Sequence, residues 1–223
     1  MNNTACYIAK EISAVQQLHQ TLLLQPHHAL TIHQRLSIQV DNLLQGHRHG
    51  NSAVVFHLTC WCPELIGQPA EKIMSGDLSL QQAQTTIARE YGYSDWDSLP
   101  DQAMPDAEFE DAVDAMLQGQ LDDLRVKLAA NESLALQVSA YGHGATLLHY
   151  LGANGVETHR QACPYNAVAL ATLLLQHGAD PQARANIYGG STAVQLVETS
   201  AHPAQAGVTQ ALVQTLNSAP DRA

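Results

Sequence analysis

Residues 144–155 read GATLLHYLGANG, and residues 190–197 read GSTAVQLV. Each begins Gly-x-Thr and runs at once into apolar residues, and Gln195 in the second stands where His149 stands in the first. A weaker copy, AVDAMLQG at 112–119 continued by LDDLRVKL to 128, has the Thr and His replaced. Self-similarity on this scale marks repeat units that stack, because one unit alone leaves an apolar face bare until a neighbour covers it. Stacking would join Leu147, Leu148, Leu170, Leu173, Leu174, Val194, Leu196, Leu212 and Leu216 into one core. About three copies is near the smallest number that holds together.

Upstream of these copies, apolar residues recur at intervals of three and four and sustained alternation is missing, so the chain reads as all-α. Ile8, Ile12, Val15, Leu18 and Leu22 predict a first helix that stops near Pro26. Thr31 with Gln34 opens a second, carrying Leu36, Val40, Leu43 and Leu44 and ending at Gly46. The run AVVFHLTCWC at 53–62 also suits a buried strand, but Asn51 and Ser52 are good caps and no partner strand is visible, so it is read as helix. Pro69 begins a short helix through Met74. Ser79 with Gln82 opens another, with Ala83, Ile87 and Tyr91 on one face and Gly92 closing it. Ser94 starts a last short one with Trp96 and Leu99, ended by Pro100. The Pro100–Pro105 stretch breaks the pattern and marks a boundary. The expected organisation is a helical region over 1–100, a linker over 101–107, the stacked array over 108–217 and a tail over 218–223.

The 144–155 stretch resembles the opening of an ankyrin repeat, G-x-T-P-L-H-x-A-A-x-x-G, at its Gly, Thr, Leu, His and second Gly. VALATLLLQHGADPQAR at 168–184 is similar to that repeat's second helix and the loop after it. LSLQQAQTTIAREYGYSDWDSL at 78–99 resembles the A-x-x-x-I-A-R-E-Y-G-F-x-S-W-x-x-L motif that often precedes repeats in bacterial ankyrin-repeat proteins, a family of largely unassigned function. The two resemblances cover residues 75–217. They imply an ankyrin-type solenoid serving protein–protein interaction, with Thr146 and His149 bonding backbone groups around the turn, so that His149 is structural. They also imply that partners meet the hairpin tips, 139–145 and 184–190. Candidate contacts there are Tyr141, His143, Arg184, Asn186 and Tyr188, of types that anchor interfaces.

Spacing departs from the family. Gly144 and Gly190 are 46 residues apart, whereas the ankyrin period is about 33. Most of the excess falls in VETHRQACPYNA at 156–167, and a smaller insert, SAHPAQAG, occupies 200–207. Both are polar, contain proline, and read as surface loops open either to recognition or to neutral insertion. Tyr165, in the first, joins the candidate contacts.

Composition narrows the partner. With 10 Lys and Arg against 21 Asp and Glu, the formal charge is −11. That leaves too few cations to neutralise nucleic-acid phosphates or to hold an anionic membrane, and it favours a basic protein. The amino-terminal MNNTACYIAKEISAV has no basic stretch followed by an apolar run, and no segment approaches the ~20 apolar residues of a membrane span. Cys6, Cys60, Cys62 and Cys163 read as reduced thiols of a cytoplasmic protein. The length suffices to bury a core without a cofactor.

Enzyme readings need a constellation, and three offer themselves. His47, His49, His57, Cys60 and Cys62 crowd one region, yet a single C-x-C lacks the usual zinc spacing and a helix would turn its two thiols about 200° apart. Cys163 and His159 are four apart, but lie in an expected loop beside Pro164 where nothing lowers the thiol pKa. The acids from Glu108 to Asp123 read as the solvated face of an amphipathic helix. Gly-rich phosphate motifs are absent. The sequence therefore favours an interaction module, the alternative being a metal-binding or thiol-dependent enzyme using the His- and Cys-rich N-terminal region.

Overall fold

Side-chain capping sets several of the helix starts. In the computed structural model, which describes residues 5–218, Thr31 Oγ1 accepts from the Gln34 amide at 3.2 Å and Gln34 Oε1 accepts from the Thr31 amide at 3.0 Å. Ser79 with Gln82 and Thr192 with Gln195 form the same reciprocal box. Each satisfies amide groups that the first helical turn leaves without partners.

The chain runs through β1 Cys6–Ile8, α1 Lys10–Leu18, α2 Gln20–Leu23, α3 Ile32–Arg48, α4 Ala53–Trp61, α5 Ala70–Ser75 and α6 Leu80–Glu90. It continues with α7 Ala107–Leu117, α8 Leu121–Ala130, α9 Leu147–Tyr150, β2 Ala162–Pro164 and α10 Ala167–Gln176. Then come β3 Arg184–Ala185, β4 Ser191–Thr192, α11 Ala193–Thr199, α12 Ala201–Gln205 and α13 Thr209–Asn217. The protein is mostly helical, as the spacing predicts. Among the described residues no helix is long and apolar enough to cross a membrane. Residues 1–4 and the end of the tail after Ser218 lie outside the described residues.

Several sequence expectations move, and the first helix is split at His19 into α1 and α2. Ile8 is not in the first helix but in β1, which pairs antiparallel with β2, Cys6 opposite Pro164 and Ile8 opposite Ala162; a partner far along the chain overrides the local period. Helix α3 does not end at Gly46 but runs to Arg48. A Cβ on Gly46 would meet Leu18 Cδ1 and Val54 Cγ1 at 2.8 Å, so this glycine lets α1 and α4 press onto α3, and Gly50, at φ 71°, takes up the reversal after it. Asp95, not Ser94, caps the turn Trp96–Ser98, accepting from the Ser98 amide at 2.9 Å.

Downstream of Asp106, which caps α7, helices stack in two rows. The first helices of successive pairs, α7, α9 and α11, touch in that order, and so do the second helices, α8, α10 and α13. Phe109, Val113, Leu124, Leu147, Leu148, Leu170, Leu174, Leu196, Leu212 and Leu216 form one continuous buried cluster between them. A second cluster joins α3, α4 and α6 through Leu36, Leu43, Val54, Leu58, Ile87 and Tyr91, and reaches Tyr141. The 101–107 stretch folds back, the Ala103 carbonyl accepting from the Ile32 amide at 2.8 Å.

Both inserts are structured. Residues 200–207 contain α12, which packs against β1 and β2, with His202 edge-on to Tyr7 at 5.9 Å between ring centroids. The 156–167 segment, expected at the surface as a loop, lies between the N-terminal helices and the stacked array, with Val156, Glu157, Thr158, Gln161 and Cys163 all buried. Its polarity serves partners inside the protein rather than water.

Candidate functional site

At the turn before α9, the Thr146 amide donates to His149 Nδ1 at 3.1 Å, with Thr146 Oγ1 2.7 Å from the same nitrogen. An accepting Nδ1 places the imidazole proton on Nε2, which donates to the Ser191 carbonyl at 3.1 Å. His149 thus ties one pair of helices to the next. Gln195 repeats the local half of this arrangement, accepting from the Thr192 amide at 2.9 Å.

The six candidate contact residues divide. Tyr141 and His143 are buried, 6% and 1% exposed, so they do not offer a free surface. The reason is the segment Glu90–Tyr93, which docks on the 139–145 tip. Tyr91 meets Tyr141 edge-on at 4.7 Å between centroids, and the Tyr91 carbonyl accepts from the His143 amide. A Cβ on Gly92 would lie 2.3 Å from the His143 nitrogen. The conspicuous EYGY of the sequence is a clamp between the two parts of the chain.

The other four are exposed. Arg184 Nη1 donates to the Gly190 carbonyl at 2.5 Å, and the Asn186 side chain donates to the Gly92 carbonyl at 3.0 Å. Tyr165 donates its amide to the Ala5 carbonyl at 3.1 Å and leaves its ring in solvent. Tyr188 is 64% exposed on a left-handed backbone, φ 49°, that non-glycine residues rarely adopt. Its hydroxyl donates to Asn154 Oδ1 at 2.9 Å, and its ring lies parallel to Trp61 at 6.3 Å. Together they border a groove of about 380 Å³ floored by Gly92, Tyr93 and Asn186.

Inside, one arginine gathers three carboxylates. Arg160, 6% exposed, donates through Nη1 to Glu110 and, at 3.4 Å, to Glu157, and through Nη2 to Asp114 at 2.9 Å. Asp114 also meets His27 Nε2 at 2.9 Å, Glu157 accepts from the Tyr150 hydroxyl at 3.2 Å, and the guanidinium lies 5.9 Å from the Tyr150 ring centre. Glu110 is therefore not on the solvated face its acidic neighbours suggest but fully buried. Burial raises all three carboxyls; for Asp114, Arg160 and His27 outweigh that and hold it at about 2. His143 and Arg160 likewise bring Glu157 below its ordinary value. Glu110, buried and facing Glu157, stays above its own.

A second chain of hydrogen bonds begins at Glu90. Its Oε1 accepts from the Thr158 amide at 2.7 Å and its Oε2 from His57 Nδ1 at 2.8 Å. His57 Nε2 is 3.2 Å from His19 Nε2, and Asn42 reaches His19 Nδ1 at 3.3 Å. Burial opposes the Glu90 charge, yet His57 and the Thr158 amide hold its carboxyl below its ordinary value.

His57 is thus engaged with a carboxylate and a second imidazole. Among the described residues no group of three or more His, Cys, Asp or Glu has the arrangement of a metal site. Cys163 is buried in β2, not in a loop, and burial pushes its thiol up to about 12; burial also pushes Cys62 up. Neither thiol is set up as a nucleophile.

The buried histidines predict acid lability. Burial and the adjacent Arg160 bring His159 down to about 4, and burial lowers His19 far below its ordinary value. Unfolded, each would take a proton near 6.5. The unfolded state therefore binds more protons between 6.5 and 4, and stability falls as pH drops through that window. The lowered carboxyls of Glu90, Glu157 and Asp114 extend the loss below about 4.5, with Glu110 acting in the opposite sense. The melting temperature is expected to be flat above pH 7 and to fall steadily from 6.5 to 4, with a shallower fall in His159→Gln; an unchanged slope in that variant would remove His159 from the account.

Between α2, α3, α7 and the 157–162 segment lies a cavity of about 390 Å³. Among the residues that line it are Leu22, Leu23 and Leu24, Arg35, Gln39 and Tyr91, and Asp114, Glu157, His159 and Arg160. Arg35, Gln39 and Tyr91 were not singled out by sequence reasoning as site residues, although Arg35 and Gln39 interrupt the apolar stripe Ile32, Leu36, Val40, Leu43 at inward positions.

No protein-family model matches this chain, no curated protein matches it, and no solved structure matches it.

Proposed function

We propose that the chain is a protein-interaction module built on an ankyrin-type array of about three pairs of helices, with the exposed tip around Tyr188 as its contact surface. The observation that carries this reading is Tyr188 itself. It is an aromatic residue 64% exposed on a left-handed backbone, held through its hydroxyl and beside Trp61 over a groove, with much of its ring open to a partner. Large aromatics with a polar end and a neighbouring Arg, here Arg184 and Arg89, are the residues that dominate association energies. The ankyrin-type reading is supported by the Thr146–His149 and Thr192–Gln195 turns and by the two rows of helices.

The net charge of −11 favours a basic protein partner, whose approach it would hasten. The test compares the whole chain with a Trp61→Ala/Tyr188→Ala variant as bait for cell proteins. A basic protein retained by the first, released by about 0.3–0.5 M salt and lost from the second at unchanged helicity is the expected result. The same proteins on both baits would remove this tip from the reading.

A further inference from the structure

The cavity between α2, α3 and the 157–162 segment contains a cation that no acid neutralises. Arg35 is 5% exposed and donates to the Pro26 carbonyl at 3.3 Å. Among the described residues no carboxylate lies within 4.0 Å of its guanidinium. A guanidinium has five N–H donors in a planar fork suited to a carboxylate, and burying one without a counter-charge is costly. The acids of the same cavity cannot serve it. Asp114 is held by Arg160 and His27, and Glu157 by Arg160 and Tyr150.

Two further observations point to a ligand. Gln39, 2% exposed, donates to the Tyr91 hydroxyl at 2.5 Å while its Oε1 has no partner. Turning the amide over would let Tyr91 donate to Oε1, but either arrangement uses within the pair only one of its three N–H and O–H donors and leaves two over. Burial raises the phenols of Tyr91 and Tyr141, which therefore stay protonated and able to donate. The apolar part of the wall is Ile8, Leu22, Leu23, Leu24 and Leu117, with Leu24 reaching solvent at 78% exposure. The volume, about 390 Å³, is that of a small-molecule site.

We propose that this cavity binds a small organic monocarboxylate with an apolar body, its carboxylate paired with Arg35 and its hydrocarbon laid against Leu22, Leu23 and Leu24. One unpaired guanidinium matches a single negative charge. A phosphate dianion would need more cations and would be repelled about twice as strongly by Asp114 and Glu157, which line the same cavity. This site is separate from the Tyr188 tip and does not depend on the interaction reading.

The test titrates the whole chain with octanoate, 1-octanol and octyl phosphate by calorimetry, with butyrate to decanoate and benzoate completing the acid series. Octanoate is expected to bind about 10–100-fold more tightly than 1-octanol, the worth of a charge-assisted hydrogen bond. Arg35→Met is expected to lose that preference and, without ligand, to melt at the same or a higher temperature, since it removes an unneutralised buried charge. Arg35→Lys should keep part of the preference. The proposal is overturned if no acid of the series outbinds 1-octanol, if octyl phosphate binds as tightly as octanoate, or if ligand-free Arg35→Met melts well below the parent, which would make Arg35 a structural ion partner. Should Arg35→Met fail to fold, it counts as the last of these, while the titrations of the parent chain decide the ligand independently.

Discussion

Replacing Arg160 with alanine is expected to cost about 3–5 kcal/mol of unfolding free energy, the range for removing one partner of a buried ion pair. That is much of the ~5–15 kcal/mol by which a domain is stable at all. Glu110 would be left in the interior with no cation beside it, Glu157 would retain only His143, Asp114 would retain only His27, and the face of Tyr150 would lose its cover. The loss is read from the denaturant midpoint followed by circular dichroism and tryptophan emission. A change below about 1 kcal/mol would show that water or proton uptake compensates the acids, contrary to the geometry. Arg160→Met combined with Glu110→Gln is expected to recover part of the loss, because it takes away charge and counter-charge together.

Glu90→Ala is expected to come next, at about 3 kcal/mol. Glu90 is 1% exposed and serves two donors that have no other acceptor in reach of the same kind, the Thr158 amide and His57 Nδ1. An unsatisfied buried donor costs about 1–3 kcal/mol. Because Glu90 closes α6 onto the 156–167 segment, the damage should be local first. Hydrogen exchange at Thr158 should accelerate more than exchange in α10, whose amides are sheltered by the stacked array. Glu90→Gln keeps an acceptor for the Thr158 amide and should cost less. Equal exchange at Thr158 in the parent and Glu90→Ala would mean that the segment is held in place by something other than this carboxylate.

The helices were legible because their causes are local. Thr31 with Gln34, Ser79 with Gln82 and Gly92 after Tyr91 each carry their signal within four residues, and each appears in the fold. The stripe of leucines from Leu147 to Leu216 was legible for the same reason, since its period of three and four survives in the packed core. The 156–167 segment was not. Its Glu, Thr, His, Arg and Gln have the composition of a solvated loop, and only the positions of Glu90, Glu110 and Asp114, all more than forty residues away, turn those side chains inward.

The candidate site was legible in the same uneven way. Tyr188 stands out because an aromatic beside two glycines suits a turn, whereas Tyr141, followed by Gly142 and then Gly144, carries a similar local signature and is consumed by contact with Tyr91. Arg35 and Gln39 offered a fainter clue. A polar pair four apart inside an apolar stripe breaks the pattern of its own helix, and a cavity wall is one of the few reasons for a chain to tolerate that.

The pairing of Cys6–Ile8 with Ala162–Pro164 has a bearing on how the protein is made. A ribosome releases β1 long before β2, so the earlier strand must wait with its edge unsatisfied while most of the chain is still being added. Loops of that span close slowly compared with the hairpins of α7 and α8 or α11 and α13, whose partners are neighbours in sequence. The stacked helices can therefore settle first, and the fastening of β1 to the 156–167 segment should be the late step of maturation. Until it occurs, Tyr7 lacks its seat against His202 and a short, unpaired strand edge is open to other chains. A nascent molecule stalled before Pro164 would be the form most exposed to aggregation and to quality-control proteases.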